Sequence, residues 1–456
     1  MNMKRRDVLK KLGTSSFATA AMAGCPLNMT AHAADTSDYK ALVCVFLFGG
    51  IDGHDFIIPA DSASYSQYST IRQSLINQYG GARAQENLLG LGSLGPDVSG
   101  GREFGLPPEM PRLQSLYQSG DAALVANVGP LVEPVTRLDI DLGTAQLPSR
   151  LFSHNDQQST WVSGGVEGSS FGWGGLFADA ILAGNGQEAF STITIGDGNL
   201  FLTGQNNMPF TITNGGAAVI DTSNFPPFQD AAINEFLRFQ NFSENNVIAR
   251  DVASILRDSI DNNATFSDAF TGAVDVSNQF SGGFLNSQLA AIARTINARD
   301  TLQANRQIFF VFQGGHDTHS AQAAANPGLF SELDSAIGEF QAVMQAMGTD
   351  SEVTLFTASD FGRTLTINGD GTDHGWGNHH FVVGGAVNGG RVYGDIPPPA
   401  VNSDFDFTSG RLIPQWSVEQ MAGSLGEWFG LTPEEIENAL PNIGRFDGSI
   451  PGLFVG

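Results

Sequence analysis

The stretch ALVCVFLF, from Ala41 to Phe48, decides the fold, because eight consecutive apolar residues are followed at once by Gly49 and Gly50. An uninterrupted apolar run of this length is typical of a strand that is buried on both faces, as in a parallel sheet. Four shorter runs repeat the pattern, and each is soon followed by glycine or serine. They lie at 122–128, 307–312, 353–357 and 380–383.

Amphipathic stretches lie between these runs, with apolar residues spaced three or four positions apart at 108–119, 286–305 and 330–347. This alternation predicts an α/β fold with a mostly parallel sheet and helices on both faces. Residues 186–275 are rich in Gly, Asn, Thr and Phe and only weakly periodic. We interpret them as an inserted cap region on the sheet, so that 38–456 forms a single domain.

The first 33 residues have the three parts of an export signal. KRRDVLK at 4–10 contains a twin-arginine pair, 12–24 is weakly apolar, and AHA at 31–33 is a possible cleavage site. We therefore expect the twin-arginine translocase to export the chain to the periplasm or beyond, with cleavage after Ala33. A lipid anchor on Cys25 is the less favoured alternative, because Met22 is a poor residue for it. The apolar stretch is shorter than the about 20 residues of a spanning helix, so no transmembrane segment is expected.

The chain is strongly acidic, with 47 Asp and Glu against 22 Lys and Arg and a net charge of −25. Such a protein should be repelled by nucleic acids and should attract cations. It has two cysteines, of which Cys25 lies in the signal segment and Cys44 lies inside the first apolar run. We predict that Cys44 is a buried apolar residue. Any bound metal must then be held by His, Asp, Glu or backbone oxygen.

Histidine is concentrated in a few glycine-rich segments that also carry carboxylates. Apart from His32, all of the eight histidines fall into GGIDGHD at 49–55, SHNDQQ at 153–158, GGHDTH at 314–319 and GTDHGWGNHH at 371–380. Segments that follow parallel strands meet at one edge of a sheet, where ligand sites gather. Imidazole and carboxylate groups without thiols suit Zn, Mn, Mg or Ca. The clustering therefore predicts one composite metal site.

The same residues also have ordinary structural interpretations. Acidic residues after a strand cap helices or close turns, loop histidines form hydrogen bonds or pack beside aromatic rings, and arginines pair with buried carboxylates. These alternatives stay open for Asp52, His154, Asp317, His319, Asp360, Arg363 and His374. For His54, His379 and His380 a structural role is the preferred interpretation.

Five motifs between Leu42 and Tyr393 resemble the exported family DUF1501. They are GGIDGHD, SHNDQQSTW, GGHDTHSAQ, SDFGRT and NGDGTDHGWGNHHFVVGGAVNGGRVYG. That family in turn resembles the alkaline phosphatase and sulfatase superfamily. The resemblance implies an alkaline-phosphatase-like fold and a divalent metal cofactor, with Zn, Mn, Mg and Ca all left open.

The resemblance also implies roles for individual residues. The implied metal ligands are Asp317, His319 and His374 for one cation and Asp52 and Asp360 for a second. The implied catalytic residues are Ser153, His154 and Arg363. Arg363 would clamp the oxygens of an anionic substrate. Phe361 departs from the superfamily pattern, because it stands where a histidine ligand is usual. The nucleophile region lacks a clear Ser or Thr, so either Ser153 or His154 attacks, or His154 and Asp156 bind metal, or the usual phosphoryl chemistry is lost.

The function that follows from the resemblance is metal-dependent hydrolysis of a phosphate or sulfate ester, with an anionic ester as substrate. The alternative is a non-catalytic, metal-stabilised binding protein of the periplasm or cell surface, which the two departures favour. In either case we expect the five implied metal ligands to converge within about 10 Å, with Arg363 pointing into the pocket and His154 at its wall.

Overall fold

The computed structural model describes residues 34–92, 100–165, 167–196, 198–218 and 247–455. The predicted export signal, including Arg5, Arg6 and Cys25, lies outside the described residues. From Ala34 onward the chain forms one compact unit.

Strands and helices alternate along most of this unit. The strands are β1 Lys40–Leu47, β2 Ile58–Pro59, β3 Leu89–Gly90, β4 Phe104–Leu106, β5 Ala122–Gly129, β6 Thr192–Thr194, β7 Phe210–Thr213, β8 Gly216–Ala217, β9 Arg306–Gln313, β10 Val353–Ser359, β11 Asn378–Val383, β12 Val392–Tyr393 and β13 Trp416–Ser417. The α-helices are Gly53–Phe56, Ser62–Gln78, Pro111–Ser119, Arg137–Leu142, His154–Ser163, Trp173–Ile181, Asn199–Leu202, Val247–Gly272, Phe284–Asn297, Gln322–Met347, Val418–Phe429 and Pro433–Ala439. None of these described helices is long and apolar enough to cross a membrane.

Ten strands form the main sheet, in the order β12-β5-β11-β10-β1-β9-β6-β7-β8, with β13 also paired to β5. The central strands β10, β1, β9 and β6 are parallel neighbours. β11 runs antiparallel to both β10 and β5, and β8 is antiparallel to β7. The expectation of an α/β fold with a mostly parallel sheet is therefore confirmed. A small antiparallel sheet of β2, β4 and β3 lies apart from it.

The central strand β1 explains why helices cover both faces of the sheet. Its residues alternate between two apolar cores: Val43 and Val45 belong to one, and Leu42, Cys44 and Phe46 belong to the other. Because a strand directs successive side chains to opposite faces, an unbroken apolar run needs a core on each side. Cys44 is buried and free, as predicted.

The five predicted strands all exist and pair within the main sheet, and every observed strand end lies within two residues of the end of its apolar run. The helices depart more from the sequence pattern. The helix predicted to end at Asn305 ends at Asn297, and the one predicted to start at Phe330 starts at Gln322. The observed start lies eight residues earlier, and Pro327 falls at the sixth position of the helix and not in its first turn, where proline is most common.

The predicted cap region at 186–275 is only partly separate from the sheet. β6, β7 and β8 lie within it and extend the main sheet beyond β9. Short strands of two to four residues carry too little periodicity to be read from sequence. The helix Val247–Gly272 also belongs to this region. The interpretation as a cap is therefore replaced by an edge extension for residues 192–217, while 219–246 lie outside the described residues.

Candidate metal centre

The candidate site lies where β1, β9 and β10 end at the same edge of the sheet. Gly49 and Gly50 follow β1 with φ values of 111° and 83°, a left-handed conformation that glycine adopts without strain. A Cβ on Gly49 would stand 2.3 Å from the backbone nitrogen of Asp317, and one on Gly50 would stand 2.5 Å from the Phe361 ring. Glycine is thus required for three loops to meet.

Three donor atoms form a tight triangle at this edge. The Asp317 Oδ1 atom lies 3.2 Å from His319 Nε2 and 3.1 Å from His374 Nε2. The two Nε2 atoms lie 2.8 Å apart. Ligands at about 2.0–2.1 Å from a tetrahedral zinc ion are separated by about 3.3 Å, so the triangle resembles one face of such a site.

His154 faces the same point from a fourth segment. It is the first residue of the helix His154–Ser163, and its Nε2 lies 3.5 Å from Asp317 Oδ2. Donor atoms of His154, Asp317 and His374 all lie within 4.8 Å of one another. The cluster therefore gathers three imidazoles and one carboxylate, which we call the metal centre: His154, Asp317, His319 and His374.

The hydrogen bonds at the Nδ1 atoms of the three imidazoles determine which ring nitrogen is available to bind a metal. His154 Nδ1 pairs with Asp360 Oδ2 at 2.6 Å, and His319 Nδ1 pairs with Asp373 Oδ1 at 3.2 Å. His374 Nδ1 pairs with the carbonyl oxygen of Phe152 at 2.7 Å. Since these oxygens can only accept, each Nδ1 donates, and in a neutral ring the Nε2 lone pair is left unprotonated.

Three convergent lone pairs and a carboxylate need a positive charge between them. Two neutral Nε2 atoms at 2.8 Å repel unless a proton or a cation lies between them. An imidazole that donates its second N–H to an oxygen is the usual arrangement around a protein-bound metal. The donor set therefore fits a divalent cation, and imidazole-rich sites favour Zn over Mg and Ca.

A strained backbone helps to place one of these supports. Phe152 adopts φ 72°, which is rare for a residue with a Cβ, and its carbonyl oxygen receives the Nδ1–H of His374. Its ring packs against Phe407, with centroids 5.5 Å apart. Strain of this kind persists only where surrounding packing imposes it, and it is concentrated at functional sites.

Asp360 supports the metal centre from behind and does not join it. It is completely buried, and its Oδ2 accepts hydrogen bonds from His154 Nδ1 and from Gln158 Nε2 at 2.9 Å. Its Oδ1 accepts from the backbone nitrogen of Gly49 at 3.2 Å. Both carboxylate oxygens are thus occupied by protein donors. The sequence assigned Asp360 as a metal ligand, whereas its geometry orients His154.

Asp52 lies outside the metal centre, in a buried ion pair. Its Oδ2 is 2.7 Å from the guanidinium of Arg72, and neither side chain is exposed. Gln322 Nε2 donates to the same oxygen at 2.7 Å, and the His54 backbone nitrogen donates to Oδ1 at 3.1 Å. Burial raises the pKa of Asp52, and the charge of Arg72 opposes that rise. The implied role as a metal ligand is replaced by a structural one, because Arg72 occupies the place of a cation.

Arg363 reaches the metal centre as expected, but its guanidinium is not free to clamp a substrate. The side chain is completely buried, and Nη1 donates to Asp317 Oδ1 at 2.8 Å and to the Gly49 carbonyl at 3.2 Å. Nε donates to Thr372 Oγ1 at 3.2 Å, and Nη2 donates to the Thr372 carbonyl. Arg363 therefore positions Asp317 and balances its charge.

Ser153 is turned toward its own helix. Its hydroxyl donates to Asp156 Oδ2 at 2.8 Å, an interaction within the first turn after Ser153. Asp156 is also 3.8 Å from Arg150. Neither side chain forms a hydrogen bond or an ion pair with a described residue of the metal centre. Of the alternatives left open by the sequence for this segment, the geometry favours His154.

The charge states at the centre follow from these contacts. The hydrogen bond with Asp360 is the largest influence on His154 and raises its pKa. Burial raises the pKa of Asp317, but the hydrogen bond and charge of Arg363 outweigh it and the net shift is downward. Burial is the main reason that the pKa of His374 is lowered. Asp317 is thus ionised and His374 neutral at pH 7, the forms that bind metal.

Phe361 fills the position where the resemblance implied a missing ligand. Its ring centroid lies 4.8 Å from that of His154 and 4.5 Å from that of His374. An apolar ring here packs the two imidazoles and offers no donor. Together with the displaced Asp52 and Asp360, it leaves donors for one cation where the resemblance implied two.

The remaining histidines form hydrogen bonds away from the metal centre, as the preferred structural interpretation held for three of them; His316, His379 and His380 are buried and His54 is partly buried. His379 Nδ1 accepts from the Asn127 backbone nitrogen, His380 Nδ1 pairs with Thr357, and His54 Nε2 pairs with the Gly410 carbonyl. His316 pairs with Gln313. Burial lowers the pKa of His316, His379 and His380 to about 3.

Two supporting residues, Gln322 and Thr372, were not predicted from the sequence. Together with the predicted Arg363 they form a hydrogen-bonded chain between Asp52 and Asp317. A supporting role for Gln158 could have been predicted, because it lies one helical turn after His154 and therefore on the same face. A role for Asp373 could also have been predicted, because this carboxylate stands next to His374 in the sequence.

Comparisons with known proteins place the chain in a family. No curated protein matches it. Among solved structures it is similar to the PsFucS1 sulfatase from Pseudoalteromonas sp., with 11% identity over 92% of this chain and 72% of that one and a TM-score of 0.38. It is also similar to the Zn complex of the C-terminal periplasmic domain of EptC from Escherichia coli, with 8% identity over 92% of this chain and 92% of that one and a TM-score of 0.37.

Alkaline phosphatase from the Antarctic bacterium TAB5 shares 10% identity over 89% of this chain and 99% of that one, with a TM-score of 0.28. The family signature described as "protein of unknown function (DUF1501)" matches residues 39–437. That match spans all four segments that build the metal centre and most of the main sheet. The chain belongs to the DUF1501 family.

Proposed function

We propose that this protein is an exported hydrolase of phosphate or sulfate esters that depends on a single divalent cation. The observation that carries the proposal is the convergence of three imidazole Nε2 atoms and one carboxylate at a solvent-accessible edge of the sheet. The side chains of His319 and Asp317 are each 44% exposed, so a ligand can reach the cation. A structural site would instead fill every coordination position with a protein ligand.

Asp317, His319 and His374 are the proposed ligands, because their donor atoms form the tightest triangle. A bound cation would polarise the ester oxygen and lower the pKa of an attacking water. Arg363 holds Asp317 at 2.8 Å and keeps its carboxylate in place. Asp373 and the Phe152 carbonyl hold the two imidazole rings in the ligand tautomer.

His154 is the proposed proton-transfer group. Its Nε2 faces the metal centre, and its Nδ1–H is held by the buried carboxylate of Asp360 at 2.6 Å. This arrangement makes the ring a better proton acceptor, in line with the raised pKa of His154. His154 could take a proton from water as it attacks and return it to the leaving alcohol. The same carboxylate would stabilise the imidazolium between the two steps.

The test combines metal analysis with a panel of phosphate and sulfate esters, using protein purified from the periplasm. We expect about one Zn per chain, loss of hydrolysis with a chelator, and recovery when the metal is restored. His154→Gln should keep the metal and lose most of the turnover. Hydrolysis that survives complete removal of metal would contradict the proposal, and metal loss in His154→Gln would make His154 a fourth ligand instead.

One observation favours the alternative function, a metal-stabilised binding protein. The hydroxyl of Ser153 is directed to Asp156, and the donors of Arg363 are largely taken up by protein atoms. The described centre therefore has neither a hydroxyl nucleophile nor a free cationic clamp. Stoichiometric metal without turnover of any ester, and unfolding at lower temperature after chelation, would support this alternative.

Export belongs to the proposal as well. Residues 1–33 would be read by the twin-arginine translocase and removed after Ala33, which would place the mature chain in the periplasm or outside the cell. The motif at 4–10 supports this route. Analysis of the mature N-terminus by mass spectrometry tests it: Ala34 is expected, and a lipidated Cys25 would show the alternative cleavage.

A further inference from the structure

A cavity lies beside His154 and has no part in the proposed metal chemistry. It has a volume of about 260 Å³ and lies between the helix His154–Ser163, the short helix Asn199–Leu202 and the ends of β1 and β9. One wall is aromatic and is formed by Phe46, Phe48, Phe201 and Phe310. The opposite wall is polar and includes Asn155 and Gln158.

The cavity adjoins residues that support the metal centre. Gln158 lines the cavity and donates to Asp360, the residue that orients His154. Asn155 directly follows His154, and Phe48 directly precedes Gly49, whose amide also binds Asp360. A molecule that presents its ester group to the metal centre would therefore have its organic part next to this cavity.

The aromatic wall forms a connected surface. Ring centroids of Phe46 and Phe48 are 4.6 Å apart, and those of Phe48 and Phe310 are 6.3 Å apart. Phe201 and Phe310 are 6.0 Å apart. Phe48 is only partly buried, although the other three are almost fully buried. An additional ring could continue this pattern, since aromatic pairs favour separations of 4.5–7 Å.

The charge of the lining residues and the volume of the cavity limit which molecules it can hold. Among the described residues that line the cavity, Glu167 is the one charged side chain, so the negative end of a substrate is disfavoured there. Cavities of about 150 Å³ with similar walls hold a benzene molecule, and drug-sized ligands need about 300 Å³ or more. The volume suits a single substituted ring.

We infer that this cavity, which we call the aromatic pocket, binds an aryl leaving group and makes aryl esters the preferred substrates. The inference rests on the proposed function for the position of the ester group. It adds that Phe48 contributes to specificity through contact with the ring, while the amides of Asn155 and Gln158 bind polar substituents at its edge.

Two non-hydrolysable anions test the pocket without requiring turnover. Phenylphosphonate and methylphosphonate carry the same head group and differ only in the ring. Calorimetry with metal-loaded protein should show about tenfold or stronger preference for phenylphosphonate, because burial of a ring removes roughly 100 Å² of apolar surface from water. Equal affinity for the two, or binding of neither, would overturn the inference.

Variants of the lining residues then test whether the preference for phenylphosphonate arises in this pocket. Phe48→Ala should lower the ratio of phenyl to methyl affinity roughly threefold to tenfold. Ser159→Phe, which fills the pocket from the opposite wall, should abolish the ratio, and thus provides a second measurement if Phe48→Ala folds poorly. Phe284→Ala is the matched control, because this exposed ring packs beside Phe312 outside the pocket.

The results of these binding tests can be distinguished from the results that test the proposed hydrolase function. A strong phenyl preference without hydrolysis of any ester would support the pocket and refute the hydrolase. Hydrolysis in which aryl and alkyl phosphonates inhibit equally, with no effect of Ser159→Phe, would support the hydrolase and refute the pocket.

Discussion

Replacing Asp52 by Asn distinguishes a structural carboxylate from a metal ligand. In the wild-type protein Oδ2 of Asp52 accepts from Arg72 and from Gln322, both at 2.7 Å, while Oδ1 accepts from the His54 amide. The asparagine can keep the last of these bonds. Its NH₂ group then faces two donors, and the buried charge of Arg72 loses its partner.

The loss of stability in Asp52→Asn follows from the burial of the ion pair between Asp52 and Arg72. Both side chains of the ion pair have no exposed surface, and removal of one partner from a buried pair costs about 3–5 kcal/mol. Arg72 keeps hydrogen bonds to the carbonyl oxygens of Thr364 and Leu365. We therefore expect the lower end, a loss of about 3 kcal/mol in the free energy of unfolding.

Urea unfolding and metal analysis of the same preparations give the answer. Asp52→Asn should lower the unfolding midpoint and keep the metal. Asp317→Asn is the matched comparison, because Asp317 is partly exposed and bonded to the metal centre. It should lose the metal with a smaller loss of stability in the metal-free state. An Asp52→Asn protein that is as stable as the wild type but has lost its metal would refute this reasoning.

Three further predictions concern the metal centre, export and pH. His374→Ala should reduce bound metal at least tenfold while His54→Ala keeps it, as measured by elemental analysis of folded fractions; equal losses would argue against the centre. Replacing both Arg5 and Arg6 by Lys should leave the precursor in the cytoplasm on fractionation, because the receptor reads paired guanidinium groups; normal periplasmic accumulation would refute the export signal. Burial raises the pKa of Asp334 to about 6 from an ordinary value of 3.8. Protonation of Asp334 therefore stabilises the folded state below about pH 4, and this stabilisation is lost as the pH rises through 6. The free energy of unfolding of the wild type relative to Asp334→Asn should fall over that range, and a constant difference would refute the shift.

The sheet could be predicted from sequence because its signal is local. β1 and the other central strands are apolar on both faces, so each run of residues carries its own evidence of burial. β6, β7 and β8 could not be predicted, since they are two to four residues long and depend on the neighbouring edge of β9 for their pairing. The reversed direction of β11 is likewise set by tertiary connections and not by its composition.

The candidate site was predictable at the level of segments and less so at the level of roles. Histidines and carboxylates after strand ends correctly indicated which loops meet, and His154, Asp317, His319 and His374 do meet. What each carboxylate binds depends on long-range partners. Arg72 comes from a helix that the sequence did not connect to Asp52, and only the folded chain brings the two together.

The partners of the carboxylates also decide how many cations the centre can hold. With Asp52 paired to Arg72 and Asp360 bonded to His154, the centre keeps one carboxylate, and Arg363 balances the charge of that one. One divalent cation would bring a charge of +2 to the centre, and imidazoles in the neutral form would add none. Arg363 balances Asp317, and the carboxylates of Asp360 and Asp373, which bind the rings of His154 and His319, would balance the cation. A second cation would lack a carboxylate of its own, because Asp52 and Asp360 are bonded to Arg72 and His154. We therefore expect one divalent cation per chain, a number that elemental analysis of the purified protein measures directly.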